Sequence, residues 1–189
     1  MELNNQLLQR LDYVDATRKE RLAMAAEILG TPHWLPDLIA ICLNRHDAIG
    51  SRACWVLEFV FKKDPARLFP YLGVFIDGLS RLQEESSIRP MAKICELLAG
   101  SYYKPGKGAK PPLESRHRER MAEVCFDWLI GPHKVAPKAY CMQTLYLLGE
   151  EFPWIRPELR EVLKLNYAKG SAAYQARARH VLKLLKKSQ

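Results

Sequence analysis

The sequence predicts an all-α fold of about ten short helices, and three observations lead to this fold class. Apolar residues recur at the spacing of amphipathic helices along the whole chain, and no segment keeps the alternation of a half-buried strand. Glycine and proline interrupt the apolar runs at short intervals, which is typical of helix ends. Helix pairs with similar residues recur about every 40 residues, and a period of 20 to 50 residues indicates a repeat architecture. The predicted helical segments lie near 3–12, 15–29, 33–44, 47–62, 66–82, 87–102, 114–130, 134–149, 155–168 and 172–187.

The helix boundaries rest on five breaks, each of which closes one apolar run and opens the next. They are Gly30-Thr31-Pro32, Lys63-Asp64-Pro65, Gly131-Pro132, Phe152-Pro153 and Gly170-Ser171. Glycine ends a helix readily, and proline cannot continue one, because it lacks the N–H group. The first two segments precede the first repeat-like pattern, so we expect residues 1–30 to form one or two N-terminal cap helices.

The first helix opens with a proline in three of the four later pairs. Pro36, Pro70 and Pro157 each lie near the start of an apolar stripe, and in two cases an acid and a leucine follow directly. Proline is favoured in the first turn of a helix, where its missing N–H has no partner to lose. The segment 114–130 departs from the pattern, since Pro111 and Pro112 only precede it.

The second helix of each pair carries a base near its start. The pairs Arg52-Ala53, Lys138-Ala139 and Arg177-Ala178 each precede an apolar ridge, and Arg89 stands in a similar place. These helices start near residues 47, 87, 134 and 172, so the spacings are about 40, 47 and 38 residues. The long interval is explained by an inserted basic loop at 101–113, rich in glycine, proline and lysine.

The chain resembles the HEAT repeat family over residues 31–187. The resemblance rests on these prolines, on the base-alanine pairs and on the period of about 40 residues. The resemblance implies a right-handed α-solenoid of about four helix pairs, forming one domain over 1–189. It also implies a concave groove lined by the second helices, and a protein partner bound in that groove without enzymatic chemistry. Arg52, Arg89, Lys138 and Arg177 would then form a ladder that bridges neighbouring repeats or faces an acidic ligand.

The formal charge of +8 is concentrated in the last part of the chain. Residues 133–189 contain 11 bases and 4 acids, a net +7, and no acid follows Glu161. On a helical wheel of 172–187 the apolar face is opposite a basic face. The apolar face holds Tyr174, Ala178, Val181, Leu182 and Leu185, and the basic face holds Arg179, Lys183 and Lys186. The basic face is either a phosphate-binding strip or the solvated side of a capping helix.

The inserted loop is the second candidate binding region. It contains Lys104, Lys107 and Lys110. These lysines follow Tyr102 and Tyr103, and Arg116 lies in the next helix. Aromatic rings next to bases can stack on unpaired nucleotides, which makes nucleic acid the alternative partner to a protein. The same two tyrosines could instead close the preceding helix.

Two enzyme families have local resemblances to the chain. The alkylpurine DNA glycosylases are basic HEAT-like proteins with aromatic residues and an Asp in a cleft, and here Trp34 precedes Asp37 and Trp55 precedes Glu58. Residues 85–93 resemble the signature loop of the adenylosuccinate lyase and fumarase superfamily. Glu85 replaces its glycine and the methionine and proline are transposed, so we expect a capped helix start here instead of lyase activity.

The five cysteines do not form a metal or redox motif in the sequence. They are widely spaced, each within an apolar run, and none belongs to a Cys-x-x-Cys pair. We therefore expect reduced, buried thiols, with no metal and no cofactor. The N-terminus lacks the pattern of a secretory signal and no apolar run is long enough to span a membrane. The expectation is a cytoplasmic protein without a membrane partner, of undefined oligomeric state.

Overall fold

The computed structural model describes residues 4–104, 106 and 108–187, and in these residues the chain is helical without strands. About 80% of the chain is helix, which confirms the all-α prediction. The ten α-helices of the described residues are α1 (Asn5–Asp12), α2 (Arg18–Gly30), α3 (Leu35–Asn44), α4 (Ala48–Lys63), α5 (Leu72–Gly78), α6 (Glu85–Tyr103), α7 (Ser115–Ile130), α8 (Val135–Leu148), α9 (Ile155–Tyr167) and α10 (Ala172–Lys187). None of them is long and apolar enough to cross a membrane.

The predicted segment 66–82 is not one helix, which corrects the sequence-based boundary. It consists of a 3₁₀ turn over Pro65–Tyr71, the short helix α5 and a second 3₁₀ turn over Leu79–Arg81. Pro70 lies inside the first turn. An α-helix cannot run through this position freely, because proline has no N–H to donate and its ring crowds the carbonyl one turn earlier.

Several helices begin where a polar side chain satisfies their first N–H groups. The Asn4 carboxamide oxygen accepts hydrogen bonds from the N–H groups of Gln6 and Leu7, at 3.0 and 3.2 Å. The Asp47 carboxylate accepts from Gly50 N at 2.9 Å, at the start of α4. These caps supply acceptors for donors that a helix start leaves without partners.

The chain divides into two compact units, residues 1–94 and 95–189. In the first unit α1, α2 and α3 all pack against α4, and α5 packs against α3. The helix α4 is therefore the centre of this unit, and Ala53, Cys54 and Leu57 are fully buried on it. A helix enclosed by three others needs apolar residues around most of its circumference, as α4 has.

The second unit is centred on α8, which packs against α7, α9 and α10. Every residue from Thr144 to Leu148 is buried, so this helix is enclosed on nearly all sides. All five cysteines of the chain are free and buried, which confirms the prediction that they lie in the core. They are Cys42, Cys54, Cys95, Cys125 and Cys141.

Candidate anion-binding cleft

The helix α9 presents a basic stripe next to its buried stripe. Its core residues Ile155, Leu159 and Leu163 are fully buried at helical spacing. Arg160 and Lys164 follow one position after two of these residues and therefore lie on a neighbouring face. Tyr167 continues the stripe at the end of the helix.

The helix α10 presents a second basic stripe, as its sequence predicts. Its buried residues are Tyr174, Ala178, Val181 and Leu185. Leu182, which the helical wheel places on the same face, is only half-buried and reaches the edge of the core. Arg179, Lys183 and Lys186 are exposed, which confirms the predicted basic face.

The two stripes form the walls of one cleft of about 540 Å³. We call it the α9–α10 cleft, and it is lined by Arg160, Lys164, Tyr167, Arg179, Leu182, Lys183 and Lys186. Leu182, the Tyr167 ring and the aliphatic stems of the bases provide apolar surface, while the cationic groups provide the rim. The volume lies within the range of ligand sites in proteins.

Hydrogen bonds hold part of the rim in place. The Arg179 Nε donates to the Tyr167 hydroxyl at 3.0 Å, and this bond joins α10 to α9. The Lys164 Nζ donates to Glu161 Oε1 at 2.8 Å. Lys183 and Lys186 make no ion pair with any carboxylate of the described residues. Five bases around one apolar floor create a positive potential that attracts anions.

Three of the four predicted ladder bases form ion pairs inside their own unit. Arg52 on α4 donates to the Asp12 carboxylate at 2.5 Å and to the Asp12 carbonyl at 2.7 Å. Arg89 on α6 lies 3.5 Å from a carboxylate oxygen of Glu58, whose side chain is only 3% exposed. The contacts of Arg52 and Arg89 therefore favour bridging between helices over recognition of an external acid.

The third ladder base, Arg177, is also engaged, whereas Lys138 is not. The Arg177 guanidinium donates to Glu96 Oε1 at 3.0 Å, to Gln143 Oε1 at 3.4 Å and to the Ala139 carbonyl at 3.3 Å. Lys138 makes no ion pair with a described carboxylate and lines a separate recess beside the start of α10. The sequence grouped these four bases together, but the structure gives Lys138 different surroundings.

The tyrosines of the inserted loop are occupied by internal contacts. The Lys110 Nζ lies 3.9 Å from the centre of the Tyr102 ring, and the Arg118 guanidinium lies 4.6 Å from it. The Tyr103 hydroxyl donates to a Glu151 carboxylate oxygen at 2.8 Å. Burial is the main cause that raises the pKa of Tyr103, and this hydrogen bond raises it further. These contacts favour the closing of α6 by the tyrosines over stacking on nucleotides.

Arg118 joins the end of the insert to the turn that follows α8. Its guanidinium makes two hydrogen bonds to Glu151, at 2.6 and 2.7 Å, and also donates to the Leu113 carbonyl. The hydrogen bonds from Arg118 are the main reason that the pKa of Glu151 lies below its usual range. A bidentate pair of this kind fixes orientation as well as contributing energy.

The remaining basic candidates of the insert do not reach the cleft. The Lys104 Nζ lies 6.0 Å from the centre of the Tyr146 ring. Arg116 is paired with the exposed Glu114 at 2.8 Å. Lys107 lies outside the described residues. The predicted basic patch therefore divides into the cleft, which holds the bases of α10, and a loop whose described bases have their own partners.

The residues that suggested enzymes lie in the core or in structural contacts. Trp34 is buried, and Trp55 Nε1 donates to the Ser86 carbonyl at 2.9 Å. The Ser86 and Ser87 hydroxyls lie 2.6 and 3.2 Å from the Ser51 hydroxyl. The sequence suggested that the serine pair caps α6, and this prediction is wrong. The helix already begins at Glu85 and includes both serines in its first turn.

Sequence reasoning missed the half of the cleft that α9 contributes. Arg160, Lys164 and Tyr167 are spaced i, i+4, i+7, so they share one helix face, and this pattern was the signal available. Among the described residues, no group of three or more His, Cys, Asp or Glu side chains is arranged to hold a metal ion. No family model, curated protein or solved structure was found to match this chain.

Proposed function

We propose that this chain is a non-enzymatic binding protein of HEAT-like helix pairs, and that it holds an acidic segment of a protein partner in the α9–α10 cleft. The observation that carries the proposal is the composition of that cleft, five bases around an apolar floor. The bases attract a negatively charged segment, and the floor accepts an apolar side chain of the same segment.

The repeat architecture has support within each unit. In the first unit α3 packs against α4, and in the second α7 packs against α8 while α10 packs against α8. A base near the start of α4, α6 and α10 reaches back in each case to an earlier helix. Recurrence of one contact near the start of three of the four second helices is what stacked helix pairs would produce.

The apolar floor favours a protein segment over a bare phosphate backbone. Phosphate contacts need cationic groups alone, and they do not require Leu182 or the Tyr167 ring between the bases. An acidic segment with a leucine or an aromatic residue would use both parts of the cleft. Such a residue at the centre of an interface commonly contributes most of the binding energy.

The proposal is tested by fluorescence anisotropy with two labelled peptides of equal charge. One is a Glu-rich peptide with a central Leu-Leu pair, and the other has Ala-Ala in that place. We expect the leucine peptide to bind more tightly, and the K183E/K186E variant to weaken its binding about tenfold or more. A matched control is K19E/K63E, which changes the charge equally at exposed lysines of the first unit. Equal affinities of the wild type, variant and control for the leucine peptide would contradict the proposal.

Nucleic acid is the second candidate, because Lys183 and Lys186 are exposed on one helix without carboxylate partners among the described residues. A labelled single-stranded oligonucleotide, titrated at several salt concentrations, tests it in the same instrument. Binding that is tighter than that of either peptide, and that falls steeply with the logarithm of the salt concentration, would support nucleic acid. No binding at low salt would exclude it.

A further inference from the structure

The second unit exposes a pair of aromatic rings that shares no residue with the lining of the α9–α10 cleft. The Trp154 ring at the start of α9 stacks on the Phe126 ring of α7, with 5.7 Å between the ring centres and 26° between the planes. Trp154 is nevertheless 50% exposed, and Ile130, one helical turn after Phe126, is 62% exposed. Large apolar side chains that lie together on a surface commonly mark an interaction site.

Carboxylates flank this aromatic pair. Asp127 follows Phe126 in α7, and Glu158 lies one turn after Trp154, since Glu158 N donates a hydrogen bond of 3.4 Å to the Trp154 carbonyl. Both acids are exposed and form no ion pair within the described residues. We call this surface the Trp154 face, and it consists of Phe126, Asp127, Ile130, Trp154 and Glu158. It combines negative charge with exposed apolar side chains.

Acids and bases are segregated in this part of the chain. The four acids of residues 133–189 all lie within 150–161, on both sides of Trp154. The bases that line the cleft extend from Arg160 to Lys186. The net charge of these residues therefore conceals an acidic segment next to a basic one. Surfaces of opposite charge attract each other when two molecules meet.

The helix α9 carries the two surfaces on opposite sides of its buried stripe. Trp154 and Glu158 each come one position before a residue of that stripe, whereas Arg160 and Lys164 each come one position after one. One position is a rotation of about 100° in an α-helix. The Trp154 face and the cleft therefore open in different directions, and each can contact a different molecule.

We propose that a second copy of this chain is the partner of the α9–α10 cleft, and that the Trp154 face of one copy occupies the cleft of the next. This inference rests on the proposed function, because it names the protein whose acidic segment the cleft holds. The Trp154 ring packs on the apolar floor of the cleft. Asp127 and Glu158 meet the cationic rim, where Lys183 and Lys186 have no carboxylate partner among the described residues.

The Trp154 face has both properties that the cleft requires of its occupant. It supplies carboxylates for the bases, and it supplies an aromatic anchor for the floor that Leu182 and Tyr167 provide. Tryptophan is among the residues that most often dominate the binding energy of an interface. The stack on Phe126 already holds the Trp154 ring in place, so the side chain loses less freedom on binding.

An interface between two unlike surfaces leaves one of each open at the ends of the assembly. Every copy that joins brings a new cleft and a new Trp154 face. Such a contact produces an open chain, or a ring if the rotation between copies closes. The mass of the assembly should therefore rise with protein concentration and exceed that of a dimer.

The test is analytical ultracentrifugation of the full chain over a concentration series. We expect the wild type to associate, and W154A and K183E/K186E each to weaken the association about tenfold or more. The control K19E/K63E changes the charge equally at exposed lysines of the first unit and should associate as the wild type does. A wild type that stays monomeric at all concentrations up to about 1 mM would overturn the proposal.

A mixture of variants separates the loss of a surface from the loss of folding. W154A keeps an intact cleft and K183E/K186E keeps an intact Trp154 face, so an equimolar mixture should form a 1:1 dimer although neither variant associates alone. The dimer should not grow, because its two open surfaces are the altered ones. E158K can replace W154A in the mixture, since it alters the face at an exposed charge and leaves the ring stack in place. Absence of a dimer in both mixtures would overturn the proposal.

The results distinguish failure of this inference from failure of the proposed function. An excess of the Glu-rich leucine peptide should dissociate the assemblies, because it occupies the same cleft. A wild type that binds this peptide but remains monomeric would overturn only the second copy as partner. A wild type that neither binds the peptide nor associates would overturn both. Association of K183E/K186E with wild-type strength would place the interface outside the cleft and overturn this inference.

Discussion

The indole Nε1 of Trp55 donates a hydrogen bond of 2.9 Å to the carbonyl oxygen of Ser86. Ser86 lies four residues before Pro90, which is inside α6 and has no N–H to donate to that carbonyl. The tryptophan of α4 thus supplies the donor that the proline removes from α6. This relationship explains how α6 contains a proline without ending there.

The first prediction concerns this replacement of a helical hydrogen bond. The W55F variant should lower the free energy of unfolding by about 1–3 kcal/mol, since it leaves a carbonyl of α6 without its donor. In a P90A background the same change should cost less, because an alanine at this position has an N–H to donate to the Ser86 carbonyl. Urea unfolding of all four proteins measures the coupling, and an equal cost in both backgrounds would show that the two positions act independently.

The second prediction compares a partly buried ion pair with an exposed one. The R177M variant should lose about 2 kcal/mol of stability, because it removes the ion pair with Glu96, which is only 14% exposed, and the hydrogen bonds to Gln143 and the Ala139 carbonyl. R116M breaks an exposed pair with Glu114 and should change stability by less than about 1 kcal/mol. Both values come from urea unfolding. A larger loss in R116M than in R177M would contradict this ranking.

The third prediction concerns acid. The pKa of Glu151 is lowered in the folded protein, chiefly by its hydrogen bonds from Arg118. The folded state therefore binds fewer protons than the unfolded state, so the pair stabilises the protein above the usual carboxyl pKa and loses this effect as the pH falls below it. We expect the melting temperature of E151Q to fall less between pH 6 and pH 3 than that of the wild type.

The control for the acid prediction is E150Q, which removes the neighbouring exposed carboxylate. Its melting temperature should follow the wild-type pH profile. If E151Q keeps the full wild-type slope, the Arg118–Glu151 pair does not contribute to the acid sensitivity.

The fourth prediction uses two glycines of the second unit. G170A would place a methyl group 2.4 Å from the Tyr174 ring, so the ring must move, and we expect a loss of about 1–3 kcal/mol. G100A has no neighbouring atom within 4 Å and lies inside α6, so it should stabilise the protein by about 0.5–1 kcal/mol. Thermal unfolding of both variants gives the signs, and a gain in G170A would show that the turn is looser than its geometry indicates.

The sequence predicted the helices well because their ends are determined locally. Breaks such as Gly30-Thr31-Pro32 and caps such as Asp47 act on their immediate neighbours, and the structure has helix ends at these places. The prediction of a single helix over 66–82 was wrong because Pro70 interrupts an apolar pattern that continues on both sides. Periodicity reports which face is apolar, and it does not report whether the backbone bonds are of the α or the 3₁₀ type.

The cleft was only half predictable. The basic face of α10 follows from its own pattern, whereas the contribution of Arg160 and Lys164 depends on which face of α9 turns towards α10. The partners of the ladder bases could not be predicted for a similar reason, since Arg177 and Glu96 are 81 residues apart in the chain. Contacts of this kind depend on tertiary packing, which a single sequence does not specify.

The buried cysteines allow local opening of the native protein to be measured without any substitution. A thiol-alkylating reagent can modify them only when the surrounding helices separate, so the labelling rate measures how often that happens. Residues 1–94 contain two cysteines and residues 95–189 contain three. A mass spectrum after a short pulse of reagent would therefore show two added labels if the first unit opens alone, and three if the second does.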